Sequence, residues 1–531
     1  MEHFRVVFEP DGKEVLIHQG ATLVEAASRA GIILATPCGG KGTCGKCTVK
    51  FEPSGQMVRA CQQLVQSDLQ VTIPPESRFY EHKILEHGIG PAADIEPTIV
   101  NRYREIAGPG PIFGVAVDIG TTTVVAKLID MADGRCLATQ SMLNPQTRFG
   151  DDVVSRINYA QSQANRAELQ KVIVDCINDL IRKLCRQSRT EPAGIYEACV
   201  VGNTTMNHIF LKLPVEQLGR APYQAWSVDA HDVPPEQLAL DMNAGGNVHC
   251  VENIAGFVGS DTTAVALAVD VESASETTLV IDIGTNGELV LGMGGKLYAA
   301  SCAAGPALEG ARIQHGSRAA DGAIEAVVVN EDDISLDVIG NAVPRSICGS
   351  GLIDAVAVLC DVGIVDATGR FAERERLSHL PGPIAARILQ SHGQAAFCLA
   401  FHRETSQPAV ILTQRDIREV QLAKAAIRAG SRILLNRLGL RDEDIQSVLL
   451  AGAFGNYIRP ASAIRIGLLP NVPLDRIHFV GNAAASGAQM LLLSDECREK
   501  AATLARKIQY VEIAHEKDFA DVFADAMYLN P

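Results

Sequence analysis

The sequence predicts an α/β protein made of a small β-rich module followed by a larger, internally duplicated α/β domain. Two observations predict this architecture. Four cysteines lie close together near the start, in and just after the run PCGGKGTCGKCTVKF. Much later, two apolar segments share one design, in which a strand leads into a D-x-G-T turn and then into a second strand. A repeat of this kind indicates a duplicated domain.

The first module is predicted over residues 1–76. HFRVVF and KEVLIHQ alternate as strands do and are separated by PDG, which is a hairpin signal. Thr22 and Glu25 form a capping-box pattern for a helix that ends at Gly31. Strand-like CTVKFEP and LQVTIPP follow, so these elements predict a β-grasp ferredoxin domain. Residues 77–111 are rich in Gly and Pro and are predicted to form a linker.

The four cysteines are predicted to bind a 2Fe–2S cluster through Cys38, Cys44, Cys47 and Cys61. Their spacing is C-x5-C-x2-C-x13-C, and glycines crowd the loop. Four thiolates and a long gap before the last one are typical of ferredoxins. Zinc is the alternative, although zinc sites favour two C-x2-C pairs and this chain has one. The other ten cysteines are scattered, which predicts free and mostly buried thiols.

The two repeats match at the aspartate, the glycine and the first threonine of the turn. The matched pairs are Asp118/Asp282, Gly120/Gly284 and Thr121/Thr285. The repeat predicts a first lobe over residues 112–274 and a second lobe over residues 275–531, the second including a C-terminal return helix.

The repeated turn has the chemistry of a phosphate-binding loop. A glycine lets the backbone approach a phosphate closely, and amides and threonine hydroxyls can donate hydrogen bonds to its oxygens. An aspartate at the end of an apolar strand can hold Mg²⁺ through water molecules. We therefore predict that the two turns bind a nucleotide and that Asp118 and Asp282 hold Mg²⁺. The predicted nucleotide contacts in the turns are Asp118, Gly120, Thr121, Thr122, Thr123, Asp282, Gly284, Thr285 and Asn286.

Composition argues against several classes of partner. The formal net charge of −15 disfavours nucleic acids and anionic membrane surfaces. No apolar run approaches the length of a membrane span, and the start of the chain lacks the pattern of a signal peptide. The sequence thus predicts a cytoplasmic protein.

The duplicated domain resembles the superfamily of actin, sugar kinases and the seventy-kilodalton heat-shock chaperones. That resemblance implies a two-lobed, ribonuclease H-like ATPase whose two hairpins clamp ATP, here Asp118–Thr123 and Asp282–Glu288. VLLAGAFGNYI, at residues 448–458, resembles the adenosine motif and adds Gly452 and Gly455 to the ATP contacts. Segments 256–270 and 481–492 resemble the two connecting helices at the hinge.

A closer resemblance covers nearly the whole chain. PCGGKGTCGKC, VAVDIGTTT, VVGNTTMNHIF, VIDIGTNGE, CAAGPALEGARI and AGAFGNYI together resemble the reductive activators of corrinoid proteins. The resemblance implies an ATP-hydrolysing reductase that passes one electron from a 2Fe–2S cluster to Co(II) and regenerates Co(I). It implies a corrinoid protein as electron acceptor and an unidentified low-potential electron donor. A homodimer is compatible with the resemblance. Relatives can carry an additional domain after the ferredoxin, whereas here only residues 77–111 intervene.

Three other functions remain open at this point. The first is a small-molecule kinase with a redox-sensing ferredoxin domain, and the second is a chaperone-like regulatory module. The third is an activator of a radical dehydratase, although such activators usually hold a 4Fe–4S cluster between subunits. Lys424, on a predicted amphipathic helix, is interpreted as solvated in preference to a contact with the nucleotide.

Overall fold

The structure is a computed structural model. It describes residues 2–10, 12–30, 32, 34, 47–74, 77, 96–330, 332–402, 408–452 and 458–530. Among the helices of these ranges, none combines the length and the apolar composition that a bilayer span requires.

The N-terminal module is a five-stranded sheet with one helix packed against it. Its parallel central pair consists of β1 and β5, and the strand order is β2-β1-β5-β3-β4. Buried apolar side chains such as Phe8, Ile17 and Leu23 form its core. The backbone amide of Glu25 donates to the Thr22 hydroxyl at 3.1 Å, as the predicted helix cap requires. The elements are β1 (His3–Glu9), β2 (Lys13–His18), α1 (Leu23–Arg29), β3 (Thr48–Glu52), β4 (Met57–Arg59) and β5 (Leu69–Thr72).

The second half of the predicted linker differs from a free tether. A 3₁₀ turn at Ile99–Tyr103 continues into the short helix α2 (Arg104–Ala107), and Ile99 and Tyr103 are buried. The backbone amide of Thr98 donates to the carbonyl of Leu493 at 3.0 Å. Ile99, Val100 and Tyr103 pack into the core of the duplicated domain, so this part of the predicted linker is fixed to that domain.

The first lobe contains a six-stranded sheet with helices on its faces. The strand order is β10-β11-β9-β6-β7-β8, in which β6, β7 and β8 are antiparallel and β9 pairs with β6 in parallel. Its elements are β6 (Phe113–Ile119), β7 (Thr123–Asp130), β8 (Cys136–Leu143), α3 (Val153–Tyr159), α4 (Gln163–Ser188), β9 (Ile195–Gly202), α5 (Thr204–Phe210), β10 (His231–Val233), α6 (Pro235–Leu238), β11 (Asn247–Cys250) and α7 (Ser260–Ala268).

The second lobe repeats this arrangement and adds two three-stranded sheets. Its main sheet has the order β22-β21-β12-β13-β14-β23. As in the first lobe, three strands are antiparallel, here β12, β13 and β14, and the first of them pairs in parallel with another strand, here β21. The strands are β12 (Thr278–Ile283), β13 (Gly287–Met293), β14 (Lys296–Cys302), β15 (Ala323–Asn330), β16 (Asp333–Val338), β17 (Ser346–Ile347), β18 (Ile388–Ser391), β19 (Gln394–Phe401), β20 (Pro408–Thr413), β21 (Ser447–Ala451), β22 (Ile477–Gly481) and β23 (Gln509–Tyr510). The helices are α8 (Gly349–Asp361), α9 (Gly382–Ala385), α10 (Gln414–Arg437), α11 (Pro460–Arg465), α12 (Ala483–Leu493), α13 (Asp495–Lys507) and α14 (Phe519–Ala526).

Two helices cross between the lobes, α7 and α12, at the places predicted for the connecting helices. A buried core that includes Ala264 and Leu491 joins them to Val280 and Val290 of the second sheet. The crossing is close because Gly487 has no side chain: an added Cβ there would lie 2.1 Å from the carbonyl oxygen of Ala264. The small residues of α12 therefore set the distance between the two lobes.

Candidate functional site

The two repeated turns lie opposite each other where the lobes meet. Each turn follows the first strand of its antiparallel hairpin, β6 in one lobe and β12 in the other. The hydroxyl of Thr122 lies 2.8 Å from the hydroxyl of Thr285. The duplicated topology therefore brings together two segments that are far apart in the sequence, as the predicted nucleotide clamp requires.

The two turns are similar but not identical. The amide of Gly120 donates to the carbonyl of Thr123 at 3.0 Å, whereas the amide of Gly284 donates to Asn286 at 2.9 Å. The second turn is therefore one residue shorter. A Cβ at Gly120 would lie 2.6 Å from the Thr123 carbonyl oxygen, so this tight turn requires glycine.

Buried polar side chains hold the first turn from behind. Asn203 donates its side-chain amide to the Thr121 hydroxyl at 3.0 Å, and Asn144 donates to the carbonyl of Gly120 at 2.8 Å. Arg156, which is fully buried, donates to the carbonyl of Thr121 at 2.6 Å. These contacts orient the turn before any ligand arrives, which lowers the entropic cost of binding.

Four half-buried carboxylates, those of Asp118, Asp261, Asp282 and Glu288, lie beside the turns. Burial, followed by the charges of Asp261 and Asp282, raises the pKa of Asp118 to about 8. Burial and the charge of Asp261 raise the pKa of Asp282 to about 7. Burial also raises the pKa of Glu288 well above its usual range. The cleft thus concentrates negative charge that a cation would offset.

The segment predicted to contact adenosine begins next to Asp282. Ala451 pairs with Asp282 in the parallel β12–β21 ladder, and Gly452 follows it with a φ of +89°. A Cβ at Gly452 would lie 2.5 Å from a carboxylate oxygen of Asp282. On the opposite side, Asn482 donates to Asp118 at 3.3 Å. Gly455 lies outside the described residues.

Two of the four predicted cluster ligands lie in the described ranges, and Cys38 and Cys44 lie outside them. Cys47 immediately precedes β3 and Cys61 follows β4, so the β3–β4 hairpin brings both to one end. The amide of Ala60 donates to the carbonyl of Cys47 at 2.9 Å. Both side chains are nearly fully buried. The ten other cysteines are free thiols, and nine of them are buried, which confirms the prediction made for them.

Asp261 and Glu309 were not predicted as site residues. Asp261 is in the first turn of α7, directly after a glycine-rich segment. Glu309 ends a 3₁₀ turn in the run GPALEG and accepts hydrogen bonds from Thr122 and Thr285. An acidic residue among glycines near a repeated turn is the signal that could have identified them.

The interpretation of Lys424 as a solvated side chain is wrong. Lys424 is 1% exposed, and its ammonium group donates to the carbonyl of Tyr528 near the C-terminus. Burial lowers its pKa to about 7. Lys424 therefore holds the end of the chain against α10.

The N-terminal module contacts the second lobe through charged side chains. Arg29 on α1 forms an ion pair with Asp337 on β16 and lies 3.5 Å from Glu325 on β15. His3 lies 3.5 Å from the same Asp337, which is 3% exposed. These contacts dock the cysteine-bearing module on the lobe that carries the second turn.

Three family models match the chain in succession. Residues 4–75 match a "2Fe-2S iron-sulfur cluster binding domain", residues 113–274 match the "RACo middle region", and residues 276–531 match the "C-terminal domain of RACo the ASKHA domain". The middle-region match covers the segment predicted as the first ATPase lobe.

Full-length relatives support the same assignment. The chain is 32% identical to the corrinoid activation enzyme RamQ of Eubacterium limosum, over 98% of each chain. It is 24% identical to the [Co(II) methylated amine-specific corrinoid protein] reductase of Methanosarcina barkeri, over 75% of this chain and 73% of the relative.

A solved structure agrees with these relatives. The structure of a reductive activator for corrinoid, iron-sulfur protein has a TM-score of 0.73 and 32% identity, over 99% of this chain and 98% of that one. The predicted fold class, family and class of enzyme are confirmed. The chain belongs to the family of reductive activators of corrinoid proteins.

Proposed function

We propose that this protein reduces the Co(II) of a corrinoid protein to Co(I) by one electron in an ATP-dependent step. The observation that carries the proposal is the meeting of the two repeated turns at Thr122 and Thr285, in a chain that also carries the cysteine-bearing module. The family of full-length relatives supports the same activity.

We assign the 2Fe–2S cluster to Cys38, Cys44, Cys47 and Cys61. The described pair fits this role because the β3–β4 hairpin places both thiols at one end of the module, where the side-chain amide of Gln62 lies 3.9 Å from the Cys61 sulfur. Hydrogen-bond donors near cluster sulfurs influence the reduction potential. When bound, a 2Fe–2S cluster supplies a one-electron relay. Burial of Cys47 and Cys61 keeps water away from that site.

We assign ATP to the cleft between the turns, where the threonine hydroxyls and turn amides would face its phosphates. Asp118 and Asp282 would hold Mg²⁺ through water molecules. Within the ranges that the structure describes, no three His, Cys, Asp or Glu side chains have an arrangement that binds a metal directly. The raised pKa values of the two aspartates support a cation, because burial and the charge of Asp261 disfavour their ionised forms and a divalent charge would offset that cost.

ATP has a thermodynamic role in this reaction. Moving one electron uphill costs about 2.3 kcal/mol per 100 mV. A ligand shifts an equilibrium only when it binds two states differently. We propose that ATP changes the angle between the lobes at the α7–α12 crossing and thereby changes the affinity for the corrinoid partner. Hydrolysis would then release the reduced partner.

The electron donor in this proposal is a low-potential one-electron carrier, and the chain acts alone or as a homodimer. The ten free cysteines of the duplicated domain suit a reducing compartment, which supports the cytoplasm as the location.

An anaerobic assay tests the proposal. Purified protein, reductant, MgATP and a Co(II) corrinoid protein are mixed, and Co(I) is followed optically while phosphate release is measured. Cys47→Ala should hydrolyse ATP but form no Co(I). Asp282→Asn should retain the 2Fe–2S resonance signal but lose ATP binding and Co(I) formation.

Two variants serve as controls in this assay. Cys136→Ala removes a half-buried thiol outside the module, and Asp133→Asn removes an exposed carboxylate, so both should behave as the parent protein does. Failure of the parent protein to form Co(I) with any corrinoid protein, or equal formation without ATP, would contradict the proposal. So would an affinity for the partner that saturating ATP leaves unchanged.

A further inference from the structure

Glu309 lies at the point where the two phosphate-facing turns meet. One oxygen of its carboxyl group accepts from the Thr122 hydroxyl at 3.2 Å and from the Thr285 hydroxyl at 3.1 Å. Among the described residues, no other carboxyl group contacts a hydroxyl from both turns. Glu309 therefore touches both halves of the clamp while belonging to neither turn.

A rigid support holds Glu309 in this position. It ends the turn Pro306–Glu309, whose Ala307 and Leu308 are 3% and 0% exposed. Gly310 follows with a φ of +83°, and a Cβ there would lie 2.3 Å from the carbonyl oxygen of Ser317. Ala307 and Leu308 share a core with Ile283 of β12, so the backbone that carries the carboxyl group is fixed in the second lobe beside the Thr285 turn.

The contacts of Glu309 identify it as a proton acceptor. The Thr122 and Thr285 hydroxyls both donate to one oxygen of its carboxylate, so that oxygen faces hydrogen-bond donors from both turns. Burial raises the pKa of Glu309, and the hydrogen bonds from Thr285 and Thr122 partly oppose that shift.

We propose that Glu309 is the general base for ATP hydrolysis in this protein. This inference rests on the proposed ATP site between the turns. The terminal phosphate of ATP would separate the two hydroxyls and leave the Glu309 carboxylate facing an attacking water molecule. Asp118 and Asp282 are poorer bases in this reaction because a Mg²⁺ ion beside them would stabilise their ionised forms.

The proposed step is balanced. A water oxygen forms a bond to the γ-phosphorus while Glu309 takes a proton from that water. The bond between the γ-phosphorus and the bridging oxygen breaks, and its electron pair leaves with ADP. Glu309 then returns the proton to solvent or to the released phosphate.

Glu309→Gln tests the proposal because it keeps the shape and polarity of the side chain but cannot accept the proton. We expect the ATP dissociation constant to remain within about threefold of the parent value, while single-turnover hydrolysis falls by at least about 100-fold, the usual contribution of a general base. Binding is measured by calorimetry with a non-hydrolysable analogue. Glu309→Asp, which retains a carboxylate, should recover part of the rate.

The outcomes are distinct. Asp321→Asn, which removes an exposed carboxylate from the segment after Glu309, should leave binding and hydrolysis unchanged. Parent-like hydrolysis by Glu309→Gln would overturn the inference about Glu309 but would not contradict the proposed ATP site. If Glu309→Gln does not fold, Glu309→Ala takes its place: a parent-like rate would overturn the inference, and a reduced rate with unchanged binding would support it. Absence of ATP binding in the parent protein would instead contradict the proposed function.

Discussion

The hydroxyls of Thr122 and Thr285 lie 2.8 Å apart although 163 positions separate them in the chain. Each is contributed by one copy of the duplicated hairpin, and both contact Glu309. The contact shows that the lobes are close enough for one ligand to be held by both turns.

Thr285→Val should weaken ATP binding. A hydrogen bond to a charged group contributes about 1.5–3 kcal/mol, so loss of the hydroxyl should raise the dissociation constant by roughly 10-fold or more. Calorimetry with a non-hydrolysable analogue measures this change. Thr278→Val is the matched control, because Thr278 is buried in β12, the strand that precedes the turn, and its hydroxyl donates to the carbonyl of Glu276. If both variants bind ATP with the affinity of the parent protein, the Thr285 hydroxyl does not contribute to ATP binding.

Gly452→Ala should disturb the position of Asp282, because the new Cβ would lie 2.5 Å from its carboxylate. We expect a loss of ATP affinity in addition to the backbone strain of an alanine at positive φ. Gly439→Ala separates the two effects: Gly439 has a φ of +68° but open space around its Cβ position. That control should lose only about 1–2 kcal/mol of stability and should bind ATP normally. Similar ATP affinity in the two variants would contradict the steric argument.

Arg29→Ala should release the N-terminal module from the second lobe. Removing one partner of a largely buried ion pair costs about 3–5 kcal/mol, because Asp337 is left without its guanidinium partner. Small-angle X-ray scattering should show a larger radius of gyration. Arg5→Ala, which breaks an exposed pair with Glu14 inside the module, should leave the radius unchanged. An unchanged radius for Arg29→Ala would show that other contacts hold the module.

His208 should make one loop of the first lobe sensitive to acid. Its Nδ1 donates to the carbonyl of Thr204 at 2.7 Å, and its Nε2 accepts from the backbone amides of Trp226 and Ser227. Burial lowers its pKa to about 4. Since the unfolded chain takes up this proton near pH 6.5, the stabilisation is complete above that pH. It is lost as the pH falls towards 4, by at most about 3 kcal/mol.

The fluorescence anisotropy of Trp226, the single tryptophan of the chain, reports this loop directly. We expect the anisotropy to fall below about pH 5 because protonated Nε2 can no longer accept the two amide hydrogens. His208→Gln should remove that pH-dependent step, and His379→Gln, which changes an exposed histidine, should keep it. If the pH-dependent fall in anisotropy persists in His208→Gln, a titrating group other than His208 causes it.

Residues 98–103 are fixed to the duplicated domain. Tyr103 donates to the buried carboxylate of Glu197, and the amide of Asp495 donates to the Thr98 hydroxyl at 2.9 Å. The first lobe and α13 thus hold this stretch in place.

Local patterns in the sequence determined the two-part architecture, the repeated D-x-G-T turns and the spacing of Cys38, Cys44, Cys47 and Cys61. Such patterns are readable because strand alternation, turn chemistry and ligand spacing depend on neighbouring residues. Only the tertiary structure decided which distant side chains share the cleft. Asp261 and Glu309 reach it through the packing of the lobes, and Lys424 is buried because the C-terminus folds over it. These outcomes depend on contacts between segments far apart in the chain, which local periodicity does not record.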